Sequence, residues 1–322
     1  MSQMRNIWIG ISLMTLYSCQ TVVEIDLPER ESELTVNSII NTENNIRVEV
    51  SASKGVLEPG EIEQVDKAQV TVRGSDGTEA TVRFRTSDPL RMSDYYEVPI
   101  IPLPNIQYSI RVESDGFETA TSSTVVPNST SIVRVDTAIG LVDGELTSQV
   151  SLTFRDRADE LNYYELKFYA LLYVPDTING QVYYTPITQE IYAIPASLDD
   201  FFGQGDDELI FDDELFDGLE YTQRVNYYYE VPFVGQDTLQ FTEGDVRNFL
   251  STYLVSELRT LSFDYYQFQS TYNVYRFSSG DPFAQPVQVY TNIDNGFGIF
   301  GGFSSSFDTL RISKGVLPSP ID

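Results

Sequence analysis

The stretch AQVTVRGSDGTEATVRFR, residues 68–85, decides the fold class. Apolar and polar residues alternate over 68–73 and again over 80–85, and the sequence Gly-Ser-Asp-Gly at 74–77 separates the two runs. Alternation with a period of two is typical of a half-buried antiparallel strand, and a Gly/Asp turn between two such runs indicates a hairpin. The stretch therefore predicts a β-hairpin.

The same alternation recurs on both sides of this hairpin. It is found at 34–40, 46–51, 108–113 and 117–121. Six or seven short strands within about 95 residues are typical of a small β-sandwich. We predict an N-terminal sandwich domain over 34–127, immunoglobulin-like or carboxypeptidase-regulatory-like in plan.

The second half of the chain is also rich in strand-forming residues. Tyr, Phe and Val dominate most of its predicted strands, as their β propensity favours: 150–154, 163–169, 182–184, 189–193, 224–231 and 287–293. We predict a larger antiparallel β domain over 128–322 with one or two short helices. The chain as a whole is expected to be mainly β.

One segment of this half has a helical period instead. Tyr265, Phe268, Tyr272 and Tyr275 follow one another at steps of three and four residues, which places them on one helical face, and Ser262 could cap the helix. We interpret this aromatic stripe as facing the core rather than as a stacking platform. The leucines that precede it, spread over 250–261, fit either a strand or a short helix.

The N-terminus has the features of an export signal. Arg5 precedes an apolar run at 7–16, which is too short to span a bilayer, and the following sequence Leu-Tyr-Ser-Cys at 16–19 resembles a bacterial lipobox. We predict a signal peptide at 1–18, acylation of Cys19 with fatty acids such as palmitate, and a tether at 19–33. Gln20 after the cysteine is compatible with sorting to the outer membrane, on either its periplasmic or its cell-surface face.

Composition excludes several classes of function. The chain carries 48 Asp and Glu against 20 Lys and Arg, a net charge of −28 that disfavours binding to nucleic acid. It has no histidine and one cysteine, which excludes His-based catalytic triads, His-ligated zinc and cysteine clusters. No pattern singles out a Ser/Lys pair or two catalytic carboxylates, so we expect a protein that is not an enzyme.

An acidic segment at 198–220 contains ten Asp and Glu residues and no Lys or Arg. Hard cations such as Ca²⁺ bind several carboxylate oxygens on a flexible loop, although the spacing here does not match an EF-hand. The weak candidate ligands are Asp206, Asp207, Asp212, Asp213 and Asp217. The alternatives are a solvated acidic loop, or a contact surface for a partner formed by the apolar residues between the acids, which are Phe201, Phe202, Ile210, Phe211, Leu215 and Phe216.

Two further patterns have structural alternatives. Four Asp-Thr-apolar tripeptides resemble acceptors for bacterial O-glycosylation at Thr137, Thr177, Thr238 and Thr309, or they are turns at strand edges. The glycine-rich stretch 292–303 lacks the Gly-Lys-Ser/Thr end of a phosphate loop. We predict that its glycines let a strand enter the core tightly.

The chain after the tether resembles the DUF4249 family of Bacteroidota outer-membrane lipoproteins. Beside the lipobox, the resemblance rests on the segments 23–28, 34–36, 164–166, 211–218, 265–266 and 292–301, of which the last is the most specific. The resemblance implies an outer-membrane lipoprotein without an assigned activity, often encoded beside a TonB-dependent receptor. It implies no catalytic residues.

Together these patterns lead us to expect a non-enzymatic outer-membrane lipoprotein with a binding or accessory role beside a TonB-dependent receptor. An acyl anchor, an extended tether and rigid sandwich modules suit recognition near a membrane. The alternative is a structural or adhesive cell-surface module that assembles through its sheet edges. A glycan-processing hydrolase is a third alternative and would need two facing carboxylates in a cleft.

Overall fold

The computed structural model describes residues 31–55, 60–88, 93–142, 145–178, 181–196, 209–227, 252–278, 285 and 287–312. The predicted signal peptide 1–18, Cys19 and the tether as far as residue 30 lie outside these ranges. The described part of the chain contains strands and one α-helix. None of its helices is both long and apolar enough to cross a membrane.

Eight strands lie within the described residues of the first half. They are β1 (Leu34–Asn41), β2 (Ile46–Ala52), β3 (Gln69–Gly74), β4 (Glu79–Val82), β5 (Arg85–Asp88), β6 (Ser93–Val98), β7 (Gln107–Glu113) and β8 (Ala120–Val125). The predicted hairpin is confirmed, because β3 and β4 pair antiparallel across the Gly/Asp turn.

The described part of the second half adds nine strands and the helix. They are β9 (Ile132–Val142), β10 (Glu145–Arg155), β11 (Tyr163–Ile178), β12 (Gln181–Ile191), β13 (Ala193–Pro195), β14 (Leu209–Asp212), β15 (Glu220–Tyr227), β16 (Thr252–Leu261), α1 (Phe263–Ser278) and β17 (Gly296–Ile312). Leu254, Leu258 and Leu261 before the helix thus belong to a strand, and Leu250 lies outside the described residues.

One long sheet runs through both halves of the chain. Its strand order is β12-β11-β16-β17-β1-β2-β6-β5, with β14 paired to β11 beside it. Strands β1 and β17 pair in parallel, from Leu34 opposite Gly296 to Asn41 opposite Phe303. The first and last strands of the described chain therefore join the two halves. Two four-stranded sheets, β13-β15-β10-β9 and β4-β3-β7-β8, complete the fold.

Each four-stranded sheet packs against one part of the long sheet. The first hydrophobic core brings Val36 and Val48 of the long sheet together with Val72 and Ile110 of β3 and β7. The second brings Tyr164 and Leu258 of β11 and β16 together with Phe154 and Val225 of β10 and β15. The predicted mainly β, sandwich-type fold is confirmed. The domain boundary at 127/128 stays a prediction.

Helix α1 covers the outer face of the long sheet. A small cluster of Ile210, Leu261, Tyr265 and Phe303 is buried beneath it. Tyr265 is 7% exposed, whereas Tyr272 and Tyr275 are 39% and 45% exposed. The prediction that the whole aromatic stripe faces the core is therefore wrong for its C-terminal half, because the helix extends beyond the small cluster it covers.

Several predicted strands differ from the structure; the one predicted at 80–85, for example, ends at Val82, and Arg85 begins β5. Strand β8 begins at Ala120 rather than at residue 117. The segment 287–293 is irregular, because its backbone groups bond elsewhere: Tyr290 N donates to Thr271 Oγ1 of α1 at 2.9 Å. The Asn292 side chain bonds the backbone of Phe300 through both its amide atoms, at 2.8 and 2.9 Å.

The glycine-rich stretch enters the long sheet as predicted. Gly298 of β17 has a φ of +105°, a conformation that favours glycine. A Cβ added there would lie 2.7 Å from Asn37 Oδ1 of the adjacent strand β1. The glycine thus permits the close approach of β17 to β1, and the structural interpretation of this stretch is confirmed.

Candidate functional site

The acidic segment and the loop after β10 together form a cluster of three carboxylates. One oxygen each of Asp156, Asp213 and Asp217 lies within 4.8 Å of the others. Asp213 and Asp217 are two of the predicted cation ligands and lie in the turn after β14. Asp156 follows β10, and sequence reasoning missed it because it lies about 60 residues away, outside the acidic segment.

Most of these oxygens are already bound by protein donors. Asp156 accepts the hydroxyl of Tyr164 and, at 2.7 Å, the backbone N–H of Gly218. Asp213 Oδ2 accepts two donors from Asn162, its backbone N–H at 2.9 Å and its side-chain amide at 3.0 Å. The cluster thus ties the loop after β10 to the turn after β14.

Burial raises the pKa of Asp213, which is 1% exposed, and the neighbouring charge of Asp156 raises it further. The two hydrogen bonds from Asn162 act in the opposite direction without reversing the shift. One oxygen from each carboxylate supplies three ligands, so Ca²⁺, which takes six to eight oxygens, would also need second carboxylate oxygens, carbonyl groups or water. Cation binding by this cluster stays a prediction.

The remaining candidate ligands are not part of the cluster. Asp212 accepts the hydroxyl of Tyr266 on helix α1 at 3.0 Å. Asp206 and Asp207 lie outside the described residues.

Most apolar residues in the described part of the acidic segment are buried, and Phe201 and Phe202 lie outside it. Ile210, Phe211 and Phe216 are 4%, 2% and 4% exposed. The Phe216 ring stacks on Tyr221 at 4.1 Å. The expectation of an exposed contact surface is wrong for these three residues. Phe211 and Phe216 pack against the long sheet, and Ile210 packs under its helix. Leu215 and Leu219 are exposed.

The tripeptides predicted for glycosylation lie within strands where the structure describes them. Thr137 is in β9, Thr177 in β11 and Thr309 in β17, and each pairs with a residue of a neighbouring strand. The alternative of a turn at a strand edge is wrong for these three. Thr238 lies outside the described residues. Glycosylation stays a prediction, and Thr309 offers an exposed side chain.

A cavity of about 450 Å³ lies where the two sandwiches meet; we call it the junction cleft. The C-terminal end of β8 forms one wall, through Ser123, Thr124 and Val125. The loop between β10 and β11 and the corner between β16 and α1 form the others. Because these segments are far apart in the chain, the sequence pattern could not reveal the cleft.

The junction cleft presents apolar side chains to solvent. Val125, Leu161 and Phe263 are 43%, 54% and 50% exposed. The Tyr163 ring in its wall stacks on Tyr266 at 4.4 Å and lies 5.8 Å from Phe263. Exposed apolar groups held on a packed support are typical of a preformed ligand site.

The charged side chains of the junction cleft are bound to the protein. Arg157 pairs with Glu160 at 2.7 Å and donates to Asn162 Oδ1 at 2.7 Å. Asp264 accepts the hydroxyl of Tyr290 at 2.8 Å and that of Thr124 at 3.3 Å. The cleft is thus left with mainly neutral and apolar groups for a ligand.

A second cavity of about 420 Å³ is lined by residues of β11 and β12, among them Glu165, Lys167 and Glu190. Its charges also compensate one another. Lys167 pairs with Glu190 at 2.8 Å, and Arg259 pairs with Glu165 at 3.0 Å and with Glu257 at 2.7 Å. This arrangement ties β11, β12 and β16 together.

Comparison with protein families gives one match that covers most of the chain. The model of a family described as "Domain of unknown function (DUF4249)" matches residues 20–308. A search of curated proteins finds no match to the chain.

Proposed function

We propose a function from the premise that the chain belongs to the DUF4249 family: it is a non-enzymatic, lipid-anchored protein of the outer membrane that binds a ligand as an accessory component beside a TonB-dependent receptor. Membership of this family assigns no activity to the chain, because the family is described as one of unknown function. The proposal therefore depends on the chain's own residues.

The junction cleft is the observation that carries the proposed binding role. Its volume of about 450 Å³ falls within the range of roughly 300–1,000 Å³ that ligand sites occupy, and such sites favour boundaries between modules. Leu161 and Phe263 stay half exposed there although the neighbouring Tyr164 is fully buried. Exposed apolar surface of this kind marks a site of interaction.

The state of the cleft carboxylates supports binding over hydrolysis. Glu160 is paired with Arg157, and Asp264 accepts two hydroxyl groups of the protein. A glycoside hydrolase instead needs two carboxylates free to transfer a proton and to attack or activate water. Both acidic side chains hold the walls of the cleft in place.

The lipobox supports the membrane anchor. Several acyl chains on Cys19 would hold the protein firmly, since each buried CH₂ contributes about 0.8 kcal/mol. The residues up to 33 would then separate the sandwiches from the bilayer. A net charge of −28 gives the protein little attraction for anionic lipid, so the anchor would have to hold it there.

Co-purification from its own outer membrane tests this proposal. The full-length chain, tagged at its C-terminus, is expressed in the cell that makes it, and solubilised outer membranes are passed over an affinity resin. We expect a large β-barrel receptor to co-purify with the wild type. Mass spectrometry of the purified protein should find an acylated Cys19 at the mature N-terminus.

Two matched variants locate the contact. Phe263→Asp places a charge in the junction cleft, whereas Phe307→Asp changes a residue of nearly equal exposure, 51% against 50%, outside it. We expect only the first to lose the receptor. Equal capture by both variants, or self-assembly of the chain without a barrel partner, would contradict the proposal, and the latter would favour the adhesive alternative.

A further inference from the structure

We propose that the ligand of the junction cleft is an extended polypeptide segment, which adds as a strand to the open edge of β8 at Ser123 and Val125. The inference rests on the proposed binding role of the cleft. It goes further in naming the class of ligand and the backbone groups that hold it.

The orientation of the β8 edge follows from one observed pair of hydrogen bonds. Thr121 N donates to Asp294 O at 3.2 Å, and Asp294 N donates to Thr121 O at 2.8 Å. The N–H and C=O of Thr121 therefore point away from β7, the strand on the other side. Because these directions alternate along a strand, the backbone groups of Ser123 and Val125 also point away from β7.

The backbone hydrogen bonds of β7 agree with this orientation of the β8 edge. Gln107, the partner of Val125 in the β7–β8 register, uses its C=O to accept the N–H of Ser75 on the opposite side. Gln107 and Val125 are thus a pair without mutual hydrogen bonds. Ser123 and Val125, which line the cleft, offer it a row of donors and acceptors.

The chain itself already uses part of this edge in the way we propose. The segment containing Asp294 lies along β8 at Thr121. Ser122 Oγ donates to Asn292 O at 2.7 Å, and the Asn295 side chain donates to Thr119 O at 3.3 Å. Among the described residues no backbone hydrogen bond joins this segment to Ser123, so an added strand would extend an existing backbone interaction into the cleft.

The side chains around the edge indicate what kind of segment fits. In strand addition, backbone bonds supply affinity and pockets for alternate side chains supply specificity. Val125, Leu161 and Phe263 present apolar surface there, whereas the nearby charged groups are paired. A net charge of −28 disfavours an acidic segment. We therefore expect a neutral or basic segment with alternating apolar residues.

N-methylated peptides test the backbone interaction. The probe is a capped peptide that alternates valine and threonine over six residues, with two isomers that carry N-methyl groups on one or the other set of alternate amides. Only one edge of an added strand faces β8. We expect one isomer to lose about tenfold in affinity for the full chain, the effect of two lost hydrogen bonds, while the other binds like the unmodified peptide.

A proline variant makes the same test on the protein. Val125→Pro removes an N–H that points away from β7, so the β8 ladder is kept, and prolines are tolerated on such edges. The control is Thr81→Pro on β4, at the opposite edge of the same sheet. The backbone groups of Thr81 also point away from β3, since Gly74 N donates to Thr78 O at the start of that hairpin and bonded positions alternate from there. Only Val125→Pro should weaken the peptide, by about threefold, the effect of one lost hydrogen bond.

The outcomes separate the inference from the proposed function. No binding of the peptide, or equal binding of both methylated isomers, overturns strand addition. If Phe263→Asp abolishes receptor capture but Val125→Pro and methylation change nothing, the cleft binds by another chemistry and the inference fails alone. Concentration-dependent dimers that Val125→Pro breaks would identify a second copy as the occupant and would also overturn it.

Discussion

Gly301 of β17 lies directly beneath Tyr265 of α1, so close that a Cβ at position 301 would come within 2.8 Å of the Tyr265 Cβ and 3.1 Å of its Cα. The helix reaches the long sheet at this point because the strand has no side chain there. Leu261 and Phe303 are buried beside this contact. Gly301 therefore sets how closely the helix packs.

Gly301→Ala should destabilise the protein. The added methyl group meets backbone and Cβ atoms that cannot rotate away, so the helix must shift, and overpacking of this kind costs about 1–3 kcal/mol. Urea unfolding followed by circular dichroism measures the change. Ser306→Ala in the same strand is the control and should leave the free energy of unfolding within about 0.5 kcal/mol of the wild type. An unchanged midpoint for Gly301→Ala would show that the helix is not held this closely.

Ser262 joins the same helix to the same strand. Its hydroxyl oxygen accepts the backbone N–H of Tyr265 at 3.3 Å and that of Gly302 at 3.0 Å. Ser262→Ala should cost about 1–2 kcal/mol, since it removes a helix cap and leaves the buried Gly302 N–H without this acceptor. Ser278→Ala at the exposed C-terminal end of the helix should have little effect. Equal effects of the two changes would contradict the assignment of Ser262 as the cap.

Local patterns predicted the strands and the helix because each depends on residues a few positions apart. The alternation at 34–40 and 68–73 matches buried and exposed positions in β1 and β3. The strand predicted at 287–293 is absent for a local reason that alternation does not reveal. Its residues alternate as in a strand. However, the Asn292 side chain binds the N–H and C=O of Phe300, and these side-chain bonds stand where strand-to-strand backbone bonds would form.

The candidate sites were harder to predict because they combine distant segments. The acidic segment showed Asp213 and Asp217, but the third member, Asp156, follows a strand about 60 residues earlier and carries no distinguishing pattern. The parallel pairing of β1 with β17, which brings the two ends of the chain together, is likewise beyond periodicity. Because the sequence does not predict that pairing, it does not predict the position of the junction cleft either.

Asp213→Asn should change how stability depends on pH. Burial raises the folded-state pKa of Asp213 above its usual 3.8, so the folded protein holds this proton to higher pH than the unfolded chain. Its contribution to stability is therefore present at low pH and is lost as pH rises above about 3.8. Asparagine can still accept both bonds from Asn162 and carries no charge.

The variant should therefore gain stability relative to the wild type as the pH rises from 4 to 7. Urea unfolding at several pH values measures this difference. Asp115→Asn, an exposed residue in the turn between β7 and β8, is the control and should follow the wild type. If the variant instead loses stability relative to the wild type as the pH rises, the charged carboxylate is the stabilised form. Bound Ca²⁺ would have this effect.

Arg259→Leu should have the opposite pH dependence. Burial acts to raise the pKa of Glu257, but the hydrogen bonds and charge of Arg259 outweigh it and hold the pKa below the usual 4.5. The stabilisation of this pair is thus present above pH 4.5 and is lost as pH falls through the lower folded-state pKa. Removal of Arg259 also leaves Glu165, which is 2% exposed, without its closest cation.

The loss caused by Arg259→Leu should be about 3–5 kcal/mol at pH 7, the cost of breaking a buried ion pair, and should shrink towards pH 4 as Glu257 accepts a proton. Arg155→Leu supplies the matched control: its partner Glu220 lies 3.5 Å away, and the two side chains are 70% and 49% exposed. Because water screens that pair, its loss should cost less than about 1 kcal/mol at either pH. Similar losses for both variants would mean that solvent also reaches the Arg259 network, and that the charges beside the second cavity are available to a ligand.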